Sequence, residues 1–125
     1  MSIVHHHLLL QIKVEVVQDS LSESDLRIFI FELLKIADMK VLIKPQFKLS
    51  HQRAWTGIMG IITSHIAFHY WIDEGYLQLD IYSCKEFDKK KVLDYVKEFW
   101  KISGGKALFI KREVGEEFKI ERTYF

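Results

Sequence analysis

From Tyr76 to Cys84 the sequence YLQLDIYSC alternates without a break, with Leu77, Leu79 and Ile81 on one side and Tyr76, Gln78, Asp80, Tyr82 and Cys84 on the other. A period of two marks a strand with one buried face. Such a strand demands a sheet, an apolar cover for one face, and a use for the other. HIAFHYW (65–71) repeats the pattern, with Ile66, Phe68 and Tyr70 opposite His65, Ala67, His69 and Trp71. In both runs the side away from the expected core carries polar and aromatic groups, as a face does that meets water, a ligand or a second subunit.

The cover is written nearby. Leu26, Phe29, Ile30, Leu33, Leu34 and Ala37 recur at helical spacing, so an amphipathic helix is expected over 21–38, with Ser20 and Glu23 spaced as its capping box. Asp88 can cap a second helix that carries Val92, Val96, Phe99 and Trp100 on one face and stops at Ser103-Gly104-Gly105. Further strands are expected at 7–17 (HLLLQIKVEVV), with the histidines at 5–7 read as native, at 40–49, where Pro45 restricts the strand to an edge or a bulge, and at 55–63. KALFIKRE and FKIERTYF, around VGEE, read as a terminal hairpin. The expected class is α+β: a two-layer sandwich, an antiparallel β-sheet with two helices on one face.

At 125 residues, with no linker or low-complexity tract, the chain is expected to be one domain, 1–125. Eighteen basic side chains against seventeen acidic ones leave a net charge of +1, which gives no global field to recruit nucleic acid or anionic lipid. A single cysteine cannot form an internal disulfide, and no N-terminal stretch has the form of a secretion signal, so a cytoplasmic setting is expected. His65 and His69 would share a face of a helix, but on a strand they stand roughly 13 Å apart, too far for one ion, so no metal site is expected.

Taken together, SHIAFHYWIDEGYLQLDIYSC (64–84) resembles the cleavage and active-site segment of the S-adenosylmethionine decarboxylases, in their short prokaryotic, pyruvoyl-dependent class. In that segment Ser-His, a second His four further on, Trp, an acidic residue, Gly-Tyr, Asp and Cys recur in this order and spacing. Thr56-Gly57 is similar to the family's Ser-Gly in the same register. The resemblance implies an autocatalytic enzyme of polyamine and spermidine biosynthesis. The Ser64 hydroxyl would attack the carbonyl of Thr63, the chain would break between them, and Ser64 would become the pyruvoyl group that serves as cofactor. His69 would be the base for the elimination, Thr56 would supply a hydroxyl, and Cys84 would return a proton to the product. Asp73 would bind the ribose hydroxyls of S-adenosylmethionine. The resemblance also implies a homodimer in which two sheets pair face to face as αββα, with Ser64 and Cys84 from one subunit and Thr56, His69 and Asp73 from the other.

Several positions depart from the family pattern. Thr63 replaces a glutamate before the serine, Trp71-Ile72-Asp73 replaces Trp-Pro-Glu, and Ser50 stands where an aromatic residue would stack on adenine, leaving Phe47 or Trp55 as substitutes. These changes keep two alternatives open. The pocket could take a related amino acid such as arginine or ornithine, or the chain could be an uncleaved, catalytically inactive homologue that binds a ligand or regulates a partner, with no cofactor.

Overall fold

The computed structural model describes residues 4–15 and 20–125. Strand β1 covers His6–Val14, and helix α1 covers Glu23–Ala37. Strands β2 (Val41–Leu49), β3 (Ala54–Ile61), β4 (Ser64–Trp71) and β5 (Tyr76–Ser83) follow, then helix α2 (Lys89–Trp100) and strands β6 (Ile102–Lys111) and β7 (Lys119–Tyr124). Val16 and Val17, expected in the first strand, lie outside the described residues.

One sheet holds all seven strands in the order β2-β3-β4-β5-β1-β6-β7, with every neighbouring pair antiparallel. That order makes β1 parallel to β2 and β5 parallel to β6. Parallel strands cannot be joined by a tight turn, and α1 and α2 are the crossovers that join them. The expected α+β sandwich is therefore present, with β1 drawn into the middle of the sheet. Among the described residues no helix is long and apolar enough to cross a membrane.

The core lies between the helices and one face of the sheet. All six residues expected on the apolar stripe of α1 are buried, as are Leu77, Leu79 and Ile81 of β5 and Ile66, Phe68 and Tyr70 of β4. Phe29 is the hub, set edge-on to Phe68 below it and to Trp100 beside it, and stacked on Tyr95. Gly57 of β3 is paired with Phe68, and a methyl group there would meet the Phe68 ring at 2.3 Å. Gly57→Ala is therefore expected to destabilise the fold by about 1–3 kcal/mol through forced displacement of that ring. Urea denaturation, read as a lowered midpoint at unchanged slope, checks it.

Both helix boundaries differ from expectation. The capping box of α1 is Ser22 with Asp25, not Ser20 with Glu23: the Ser22 hydroxyl accepts from the Asp25 N–H, and Asp25 accepts from the Ser22 N–H. Glu23 is already the first helical residue, too early to reach back to a cap. Asp88 does cap α2, accepting from the N–H groups of Lys90 and Lys91, but the helix ends at Lys101 in the left-handed region, φ 50°. The Ser103-Gly104-Gly105 run belongs to β6 instead. There a Cβ on Gly105 would meet the carbonyl oxygen of Gln11 at 2.6 Å, so glycine permits close approach to β1, next to a register irregularity at Lys13 and Val14. Pro45 acts as expected, on an edge strand with register shifts on either side of Ile43.

Candidate active site

The face of the sheet away from the helices is ordered in rows, because directly opposed residues on antiparallel strands point to the same side. One row runs His65, Tyr82, His7 across β4, β5 and β1. The next runs Ala67, Asp80, Leu9, and the one after it Thr56, His69, Gln78, Gln11, Lys106 and Tyr124 from β3 to β7. The middle of this face is a concavity of about 730 Å³, lined in part by Gln11, Thr56, His69, Gln78 and Asp80. That volume is in the range of small-molecule sites.

At one end of β4 is the turn that joins it to β3. Ile61 pairs with Ser64, which leaves Ile62 and Thr63 as the two turn residues and places Ser64 at a chain reversal. Ser64 also pairs with Ser83 at the end of β5, and this brings Cys84 beside the turn. The Cys84 N–H donates to the Thr63 carbonyl oxygen at 2.9 Å. Ser83, fully buried, donates its hydroxyl to Thr63 Oγ1 at 2.8 Å and accepts from the Lys85 N–H at 3.0 Å. The residue before Ser64 is thus fixed through both its carbonyl and its side chain, while the Cys84 side chain is exposed.

Beside the turn lies a cluster from distant parts of the chain. The Ser64 hydroxyl is 3.5 Å from His65 Nδ1, and His65 Nε2 is 3.8 Å from Asp80 Oδ2. The other Asp80 oxygen is hydrogen-bonded by His7 Nε2. Arg112 approaches His7 Nδ1 at 3.1 Å and lies 4.6 Å over the Tyr82 ring, whose hydroxyl is bonded to His5. Burial pushes the Asp80 carboxyl up, but the hydrogen bond and charge of His7, with the charge of His65, outweigh it and hold the carboxyl below the ordinary aspartate value. His6, between His5 and His7, points to the opposite face against Phe87 and Phe109, and there burial lowers its pKa despite the nearby carboxylates of Glu113 and Glu86.

The far end of β4 carries a second group. The Thr56 hydroxyl is 3.1 Å from His69 Nδ1, and the His69 ring stacks on Trp71 with centroids 6.0 Å apart. Asp73, in the turn after β4, accepts from Arg53 Nε at 2.9 Å. Within one chain, Thr56, His69 and Asp73 therefore gather at one end, with Thr63, Ser64 and Cys84 at the other. Five steps along the strand separate Ser64 from His69, roughly 17 Å. Trp55 and Phe47 join neither group. Trp55 is 8% exposed, paired with Tyr70 on the helix side, and Phe47 packs on Phe68 beneath Arg27. Alternation along β3 turns Trp55 away from Thr56, so neither aromatic ring can stack on a ligand lying in the concavity.

The signal for the histidine cluster was present only in part. His5 and His7 alternate with His6 ahead of a strand, but nothing local says that β1 inserts beside β5. Arg112 gave no signal at all.

A family model described as S-adenosylmethionine decarboxylase matches residues 7–113. The chain belongs to the S-adenosylmethionine decarboxylase family. Among relatives in that family, the S-adenosylmethionine decarboxylase proenzyme of Pyrococcus horikoshii is 34% identical over 100 residues, 79% of this chain and 69% of the relative. The proenzyme of Pyrococcus furiosus is 33% identical over 93 residues, 74% of this chain and 66% of the relative. That of Clostridium botulinum is 35% identical over 75 residues, 56% of this chain and 64% of the relative. The matches thus span about two thirds of the length of these relatives. The crystal structure of the adenosylmethionine decarboxylase from Aquifex aeolicus superposes with a TM-score of 0.77 at 22% identity, covering 94% of this chain and 97% of that one, which establishes the shared fold.

Proposed function

We propose that this chain, as a single domain over 1–125, is a self-processing, pyruvoyl-dependent decarboxylase of S-adenosylmethionine that works as a homodimer in the cytoplasm. The observation that carries the proposal is the hydrogen bond from the Cys84 N–H to the Thr63 carbonyl, the group that Ser64 must attack. A donor aimed at a carbonyl polarises it and stabilises the negative charge that develops on its oxygen. Family membership and the relatives' description as proenzymes agree with this chemistry.

The residues around Ser64 suit the formation of a pyruvoyl group. Ser64 opens β4 immediately after the turn and directly follows Thr63, whose carbonyl its hydroxyl must attack, and the Ser83 hydroxyl bond keeps Thr63 from rotating away. Once formed, the group supplies an electron sink for the pair released as carbon dioxide leaves. The rest falls to this chain's own side chains. With Nδ1 donating to Thr56 Oγ1, His69 presents Nε2 as a free base. In a dimer whose open faces meet, the His69 end of one β4 comes opposite the Ser64 end of the other, which supports a shared site. The exposed Ile58, His69 and Trp71 on that face agree with an interface. Cys84 places a thiol beside Ser64 as proton donor to the product. Asp73, freed from Arg53, offers a carboxylate to the ribose hydroxyls.

Mass spectrometry of freshly purified protein tests the reading. The expected result is two fragments, 1–63 and 64–125, with the second lacking its amino nitrogen, together with carbon dioxide released from S-adenosylmethionine. A soluble, folded chain that stays intact on incubation would overturn it. If fragments form and carbon dioxide is released only from arginine or ornithine, the processing stands and the substrate assignment does not.

A further inference from the structure

We propose that His65, backed by Asp80, is the base that takes the Ser64 hydroxyl proton in the first step of self-cleavage. The inference rests on the self-processing reading above and separates its two proton transfers between two histidines. Of the imidazoles in the described residues of one chain, His65 is the one set against the reacting hydroxyl, at 3.5 Å, whereas His69 lies at the other end of β4. The distance is that of a resting pair that closes when the reaction begins.

The proposed role sets the tautomer. To accept from Ser64, Nδ1 must be unprotonated, so Nε2 carries the hydrogen and directs it at Asp80 Oδ2, 3.8 Å away. Asp80 is itself fixed, because His7 Nε2 holds its other oxygen and Arg112 stands behind His7. The groups facing His65 are Asp80 and Tyr82 from β5 and His7 from β1, with Arg112 a layer further out. Asp80 is thus the one carboxylate in contact with the ring among those groups. A hydroxyl, an imidazole touching it, and a carboxylate orienting that imidazole make up the arrangement that activates a serine nucleophile on many folds. Here the attacked carbonyl is not a substrate's but the neighbouring residue's.

The step balances without any outside reagent. The Ser64 proton moves to His65 Nδ1 as Oγ bonds to the Thr63 carbonyl carbon, and the negative charge on the carbonyl oxygen meets the Cys84 N–H. The proton then passes from His65 to the Ser64 amide nitrogen as the carbon–nitrogen bond breaks. This leaves an ester between Thr63 and Ser64 and a free amine on Ser64, with nothing oxidised or reduced. Breaking that ester by elimination is the separate task assigned to His69. His65 is accordingly a catalytic residue, whereas Asp80 and His7 are positioning residues.

Hydroxylamine tells the two histidines apart, because it cleaves an ester at Thr63 and leaves a peptide bond intact. His69→Ala is expected to accumulate chain that hydroxylamine splits. Adding His65→Ala to the His69→Ala chain is expected to slow formation of that ester about 100-fold, with the rate recovering when imidazole is added to the buffer. In the same His69→Ala background Asp80→Asn is expected to slow ester formation about 10-fold while His65 remains in place, and a merely structural defect caused by His65→Ala would not be rescued by imidazole. If the chain carrying both His65→Ala and His69→Ala forms ester as fast as His69→Ala, or remains slow with no response to imidazole, the assignment is overturned while the self-processing reading survives. If wild type itself yields neither ester nor fragments, both fall together.

Discussion

Replacing Ser64 by alanine is expected to leave the chain whole indefinitely, at its full mass, with no loss of thermal stability. The two halves of that expectation have different causes. Ser64 is half-buried, with its hydroxyl 3.5 Å from His65 Nδ1, and alanine keeps its Cβ while removing a single oxygen, so the fold loses little packing. Substitutions of this kind shift stability by about 0.5 kcal/mol or less. The chemistry, by contrast, loses its nucleophile entirely. The Thr63 carbonyl remains polarised by the Cys84 N–H, but no hydroxyl is left to attack it. Intact mass together with a melting curve reads both halves at once. A Ser64→Ala chain that still breaks after Thr63 would place the nucleophile elsewhere.

That expectation depends on a network the sequence only partly displays. The alternation in 65–71 and 76–84 correctly separates the core face from the open face, because period two needs no knowledge of which strands are neighbours. The stripe on α1 is legible for the same reason: Leu26 to Ala37 follow the helical period, and all six residues are buried. Legibility ends where a residue's meaning depends on distant pairing. Ser103-Gly104-Gly105 has the composition of a helix stop, yet Gly105 answers to the Gln11 carbonyl more than ninety residues earlier. Ser20 and Ser22 offer nearly the same capping spacing, and only the position where the helix begins, at Glu23, shows that Ser22 is the cap. Trp55 sits next to Thr56 in sequence, and one step along a strand is enough to place it on the opposite face.

The histidine cluster makes the same point for the site. His7 and Asp80 are 73 positions apart, and their contact exists only because β1 inserts between β5 and β6 after α1 carries the chain across the sheet. Ser64-His65 is visible as a dipeptide, but neighbours on a strand ordinarily point to opposite faces, so the dipeptide alone argues against contact. The turn at Ile62 and Thr63 changes that, because Ser64 is the first residue out of it. His69 and Thr56, thirteen residues apart, are brought together by the β3–β4 hairpin, which local pattern alone makes accessible.

Separation of the two groups along β4 has a consequence for subunit mixing. If each site takes Ser64 and Cys84 from one subunit and Thr56 and His69 from the other, Ser64→Ala and His69→Ala are each inactive as homodimers, because every site lacks one partner. When the two variants are co-expressed, half of the dimers are mixed at random association. In each mixed dimer one site carries both substitutions and the other carries neither. About one quarter of all sites are then complete, so decarboxylation is expected to rise from background to about 25% of the wild-type rate, with about the same fraction of chains processed. A site built within one subunit gives a different result, since each chain would then lack a residue of its own site and mixing would restore nothing. The roughly 17 Å of strand between Ser64 and His69 is why the shared arrangement is expected: no bend in β4 brings them together, as its eight residues pair continuously with both β3 and β5. Continued inactivity in a mixture shown to contain mixed dimers would remove His69 from the shared site.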